Sequence, residues 1–294
     1  MKRTPRAVIA AFIITAAAAA AQLPFSVPAL ASPVPPAPNP ALSGTWANTN
    51  PATRSVVDIV IGGSKSGIQV DGFGACSPSP CQWGNVPGTV FGANVSSATG
   101  SSFEANWNFG FARTVLLGTL TETKRVPTLT VQEFTTFTDS SGRANYAVTE
   151  TFVRAKPIAA TRNGTAAASY PLGDSVAPAP SLLGTWINTS PASPGIRKVI
   201  IGRNPAGTLS VSAFGACTPT LCAWGKITGI TFGTSISSVS GRTFLAPYQF
   251  GFASKLADGT LNPAGTVLTV QTYTEFTDHS GRSNYVSTDT FTRG

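Results

Sequence analysis

The chain has 294 residues, only 11% of them charged, and a formal net charge of +8 at neutral pH. That length allows one large or two ordinary domains, and the low charge with 29 glycines and 23 prolines argues against long amphipathic helices and for short strands joined by tight turns. Past the N-terminal segment only Lys124-Arg125 and Arg197-Lys198 are adjacent basic pairs. The positive excess therefore reads as a solvated surface with weak attraction to anionic polymers, not as the basic, aromatic-interleaved stripe of a nucleic-acid binder.

Residues 1–31 read as a signal peptide. Met1-Lys2-Arg3-Thr4-Pro5-Arg6 supplies the positive end, Ala7 to Ala21 the apolar run, and Ala29-Leu30-Ala31 the small-x-small site that predicts cleavage before Ser32. An uncleaved anchor is the alternative, opposed by Pro24 and Pro28, which interrupt the run. No later segment is apolar for the ~20 residues a spanning helix needs. The expected mature protein is secreted, extracellular and without a membrane span.

The Pro/Ala-rich stretch 32–41 reads as a linker, and residues 42–154 then form a unit that 183–294 repeats. LSGTWANTNP returns as LLGTWINTSP, FGACSPSPCQWG as FGACTPTLCAWG, and FTDSSGRANYAVTETFVR as FTDHSGRSNYVSTDTFTR. The near-constant offset is that of a tandem duplication, each copy large enough to bury its own core. Residues 155–182, rich in Ala, Pro, Gly and Thr, read as a second linker. Within a copy, VVDIVI (56–61), GIQVDGFG (67–74) and LTVQEFTTF (129–137) are β-branched or alternating runs separated by glycine-containing turns, the spacing of an antiparallel meander. Asp139 and Gly142, with Asp278 and Gly281, supply the turn chemistry of a hairpin before the last strand.

One cysteine pair falls in each copy, Cys76 with Cys81 and Cys217 with Cys222. In an exported chain this pattern points to two local disulfides. A single zinc ion shared by all four is the competing reading, and it has no histidine nearby to support it. A redox role lacks the two-residue spacing of oxidoreductases. Trp83 and Trp224 follow the pairs closely, so each staple is placed to position an indole.

Each copy opens with Gly44-Thr45-Trp46 or Gly184-Thr185-Trp186 and closes with Arg154 or Arg293. This resembles the calycin pattern of lipocalins and avidin-like proteins, in which a G-x-W tryptophan packs beneath an arginine of the last strand. The resemblance implies an all-β protein of two tandem antiparallel up-and-down β-barrel domains, each sealed at one end by a cation–π contact and offering a cavity for a small ligand or an interface for a larger partner. A six-stranded barrel or a sandwich also fits the strand lengths. The FGAC-x4-C-x-WG segment has no counterpart in that pattern.

No nucleophile elbow, metalloprotease helix or phosphate loop is present. The lone histidine, His279, stands where the first copy has Ser140, so a function common to both copies does not use imidazole. On the last strand, alternation puts Tyr146, Glu150, Phe152 and Arg154 on one face, matched by Tyr285, Asp289, Phe291 and Arg293; this face is assigned to the interior. The preceding strand adds Gln132 with Phe134, and Gln271 with Tyr273. With Trp46 and Trp186 these residues form either a closing network inside each barrel or a polar patch that reads a ligand. The expected function is secreted, non-enzymatic binding of a small molecule, glycan or extracellular partner, with no cofactor or metal. Two alternatives stand beside it: a protease inhibitor acting through a disulfide-closed loop, and a hydrolase using two carboxylates, Asp139 with Glu150 or Asp278 with Asp289.

Overall fold

In the computed structural model the described residues are 36–64, 67–123, 126–156 and 176–294. The signal-peptide segment, the Lys124-Arg125 pair and most of 155–182 lie outside them. The first copy forms β1 (Gly44–Asn48), β2 (Val56–Ser64), β3 (Gly67–Gly74), β4 (Cys81–Phe91), β5 (Ser102–Asn108), β6 (Ala112–Thr123), β7 (Val126–Phe137) and β8 (Tyr146–Arg154). The second forms β9 (Gly184–Asn188), β10 (Ile196–Arg203), β11 (Leu209–Gly215), β12 (Cys222–Phe232), β13 (Thr243–Gln249), β14 (Ala253–Leu261), β15 (Val267–Phe276) and β16 (Tyr285–Arg293). Each strand pairs antiparallel with the next and the last returns to the first, giving two closed eight-stranded barrels in tandem. Closure leaves no free sheet edge, and it decides against the six-stranded barrel and the sandwich. No α-helix is found among the described residues.

The inward residues of each barrel make its core, among them Val70, Phe103, Leu129 and Phe152 in the first and Val211, Phe244, Leu268 and Phe291 in the second. One end of each barrel is sealed as the G-x-W pattern implies. Trp46 is fully buried, its Nε1 donates to the Leu42 carbonyl at 2.9 Å, and the Arg154 guanidinium lies 4.3 Å from its ring centre. Trp186 repeats this with Leu182 at 2.9 Å and Arg293 at 4.5 Å. Arg154 also donates to the carbonyls of Ser43 and Ala41, and Arg293 to those of Leu183 and Ser181. Gly44 is required here, since at φ +138° a Cβ would fall 1.8 Å from Arg154 Nη1.

Part of each stretch read as a linker belongs to this frame. Ala37–Pro38 runs parallel to Thr99–Gly100, and Pro40–Leu42 makes a 3-10 turn whose first amide positions are capped by Asn39. Ala177–Pro178 pairs in the same way with Ser240–Gly241, and Pro180–Leu182 makes the matching 3-10 turn, there with Ala179 and no side-chain cap. Proline fits at the start of such a turn because the missing N–H has no partner there.

The barrels dock through a pseudo-twofold contact. The Gly92 amide donates to Asn284 O at 2.8 Å and the Val286 amide to Gly92 O at 3.0 Å; the equivalent Gly233 and Ala147 amides donate to Asn145 O and Gly233 O, each at 2.9 Å. Phe91 meets Tyr273 edge-on at 5.2 Å and Phe134 meets Phe232 at 5.1 Å, within an apolar cluster drawn from both copies. This contact corrects the face assigned to Gln132 and Gln271. On β7 the inward residues are Leu129 and Val131, so Gln132 and Phe134 point out of the barrel toward its neighbour, and Gln271 with Tyr273 does likewise. Both faces of β7 and β15 carry buried residues, and alternation alone does not say which of the two faces is the interior.

Candidate functional site

The end of the first barrel opposite the Trp46 seal holds a cavity of about 540 Å³. Three local features build its wall. The Cys76–Cys81 disulfide, with Cα atoms 5.5 Å apart, closes the exposed β3–β4 loop at the rim; the second copy has the matching Cys217–Cys222 bond. A bulge in β4 follows at once: Gly72 pairs with Gly84 and Phe73 with Gln82, leaving Trp83 as the extra residue. Trp83 packs edge-on against Trp107 at 5.4 Å and Phe109 at 5.6 Å. A Cβ on Gly72 or Gly74 would come within 2.6 Å or 2.7 Å of the indole, so those glycines make its seat.

The second feature is the hairpin turn before β8. Asp139 accepts from the Ser141 amide at 3.2 Å and from Arg143 Nη2 at 2.6 Å, while Ser140 stands at φ +54° and Gly142 at φ +72°. So anchored, the Arg143 guanidinium lies 3.9 Å from the Phe137 ring centre and 5.5 Å from that of Phe111. Hydrogen bonds from Ser141, and then the Arg143 charge, hold the Asp139 carboxyl below its usual range. The second copy repeats the turn with Asp278, Ser280 and Arg282, the latter over Phe276 at 3.9 Å. His279 occupies the Ser140 position at φ +56°, exposed in the turn.

The third feature is a buried carboxylate. Glu133, on the inward face of β7, is 3% exposed and accepts from Ser55 Oγ, from Thr135 Oγ1 at 2.9 Å and from Tyr146 OH at 3.0 Å. Burial pushes its pKa up, partly offset by those three hydroxyls and reinforced by the charge of Glu150. Burial, and then the charge of Glu133, also raises the pKa of Tyr146. The result is a polar floor beneath walls of Trp83, Phe109, Phe111 and Phe137.

Against this geometry the residues singled out from sequence divide. Tyr146 lines the cavity. Trp46 and Arg154 lie at the far end of the barrel, eight residues or about 26 Å along β8 from Tyr146, and serve the seal; Trp186 and Arg293 do so in the second barrel. Glu150 faces inward between the two ends and accepts from Thr53. Asp289 accepts from Asn188 at 2.9 Å and Ser193 at 2.6 Å. Tyr285 lies against Phe276. Gln132 and Gln271 belong to the docking contact. Asp139 is committed to its turn, and neither it nor Glu150 lines the cavity, so no facing carboxylate pair forms there.

Glu133, Phe109, Phe111, Phe137 and Arg143 were not singled out. Glu133 has Thr272 as its counterpart, so a search for polar residues kept in both copies passes over it. The segment FGFA stands at both 109–112 and 250–253, and in the first copy its phenylalanines are rim aromatics. No protein-family model matches the chain, and no curated protein matches it.

Proposed function

We propose that the protein is an exported, non-enzymatic binding protein whose first barrel holds a small, largely apolar molecule. The observation that carries this reading is the 540 Å³ cavity with aromatic walls and one buried acid. Its size falls within the ~300–1,000 Å³ of small-molecule sites, as does the pattern of apolar walls with few polar groups. Glu133 selects for a ligand with a hydrogen-bond donor or a positive charge at its inner end. The barrel closure, sealed by arginine over tryptophan in both copies, supports the calycin-like resemblance. Two disulfides, and no helix among the described residues long and apolar enough to cross a membrane, are compatible with export.

The test uses the full chain and N-phenyl-1-naphthylamine, a neutral apolar fluorophore carrying one N–H donor. Its emission rises on addition of the protein and is lost in Ala75→Trp, which fills the rim from an exposed position lining the cavity, while the melting temperature holds. Undiminished binding by Ala75→Trp, or no emission change with the wild type, overturns the reading.

A further inference from the structure

The two barrel ends that share one architecture differ in charge. At the position of Thr114 in the first barrel the second has Lys255, and at the positions of Glu133 and Ser55 it has Thr272 and Gly195. A carboxylate in one barrel is thus replaced by an ammonium in the other, on the neighbouring strand. We infer that the end of the second barrel opposite its Trp186 seal is a separate binding site for a flat apolar monoanion, such as an aromatic carboxylate, with Lys255 as its counter-charge.

Three observations carry this assignment. Lys255 alternates with Ala253, Ala257 and Leu261 on the inward face of β14, so its side chain runs into the barrel and not out to solvent. Its Nζ lies 4.9 Å from the Trp224 ring centre and 5.8 Å from that of Tyr285, and it donates to Thr274 Oγ1 at 3.1 Å. An ammonium has three donors, and no carboxylate among the described residues takes either of the others within ion-pair distance. Asp278 is held by Arg282, and Asp289, further along β16, by Asn188 and Ser193.

Second, Thr272 is 2% exposed and its Oγ1 has no hydrogen-bond partner. It faces inward one pleat from Thr274, the acceptor of Lys255. A buried hydroxyl left unpaired is unfavourable, and an anion held by Lys255 would supply its acceptor. Third, Trp224 stands in an aromatic wall, edge-on to Tyr248 at 5.6 Å and Phe250 at 5.7 Å, with Phe250 stacked on Phe252 at 5.6 Å. That wall suits the flat body of the ligand, and Arg282 over Phe252 adds positive potential at the rim.

Burial, and then the charge of Arg282, lowers the Lys255 pKa to about 8. Anion binding favours the charged amine, so affinity for a carboxylate falls as pH rises above about 8. The other titratable side chains facing Lys255 are Tyr285 and, behind Trp224, Tyr248.

The test is calorimetric titration of the full chain with naphthalene-2-carboxylate and with its uncharged amide. The wild type binds the carboxylate at least tenfold more tightly than the amide. Lys255→Thr, which installs the first barrel's own residue and so retains the fold, loses that preference while its amide affinity is unchanged. Ala75→Trp, which blocks the first cavity, keeps the preference. No carboxylate preference in the wild type, or its survival in Lys255→Thr, overturns the inference. Loss in Ala75→Trp assigns the anion to the first barrel and overturns it as well. Because the first cavity is tested with a different probe, either reading can fail without the other.

Discussion

The Arg154 guanidinium sits 4.3 Å from the centre of the Trp46 ring while donating to two backbone carbonyls that precede β1. One side chain from the last strand thereby covers the first strand's indole, ties down the incoming chain and closes the barrel end. The contact needs a glycine two residues before the tryptophan, because any Cβ there occupies the guanidinium's place.

The seal predicts a specific ranking. Arg154→Met removes a cation–π contact and two charge-assisted hydrogen bonds and is expected to cost about 1–3 kcal/mol. Gly44→Ala, forced to φ +138° and into Arg154, is expected to cost at least as much through backbone strain and displacement of the arginine. Urea denaturation midpoints measure both. Arg293→Met and Gly184→Ala are expected to follow the same order in the second barrel.

The docking contact carries a buried acid. Asp258 stands where the first copy has Leu117, faces the partner barrel beside Tyr273, and accepts a hydrogen bond from Gln132. Burial raises its pKa from 3.8 to about 7, opposed only by that hydrogen bond, and its Oδ1 has no partner. A carboxyl whose folded pKa is raised favours the native state when protonated. Its contribution is therefore full below pH 3.8 and is lost as pH rises to about 7. Asp258→Asn is expected to match the wild type in acid and to exceed it in stability above neutrality. Chemical denaturation of both proteins across pH 3.5–8.5 checks this, and equal pH slopes would contradict it.

The shared apolar cluster couples the two barrels. Phe232 is 1% exposed and packs on Phe134 of the other copy. Phe232→Ala is expected to cost about 3–5 kcal/mol, the usual range for emptying a buried phenylalanine site. Because the lost contact belongs to both barrels, hydrogen exchange should speed up in β7 as well as in β12. Exchange confined to the second barrel would show that docking does not stabilise the first.

His279 serves as a turn residue. Asparagine tolerates the left-handed conformation that His279 adopts at φ +56°, so His279→Asn is expected to change stability by less than about 0.5 kcal/mol. Binding of N-phenyl-1-naphthylamine and of naphthalene-2-carboxylate should also be unaffected. A tenfold loss of either affinity would give the imidazole a role that its exposed position does not suggest.

Much of the barrel was legible in residue order. The Gly44-Thr45-Trp46 and Arg154 frame anticipated the seal because it rests on residues at the two ends of one sheet. The cysteine spacing anticipated both disulfides, and Asp139 with Gly142 anticipated the hairpin turn. The site was less legible. Its acid is present in one copy only, and the residues chosen along β8 are spread over both ends of the barrel: Tyr146 reaches the cavity and Arg154 the seal. Alternation groups residues by face and carries no information about depth.

By itself the sequence determined the duplication, the all-β meander and the disulfides, since each depends on local spacing or on a repeated pattern; the sealing pair was what the resemblance to the calycin pattern implied. Tertiary structure alone decided the docking of the barrels, the outward course of Gln132 and Gln271, and the gathering of Glu133, Trp83 and Arg143 around one cavity. The physical reason lies in β7 and β15. Each strand has buried residues on both faces because one face fills a barrel and the other, through Phe134 or Tyr273, meets the neighbouring copy, and only the packed arrangement tells these two forms of burial apart.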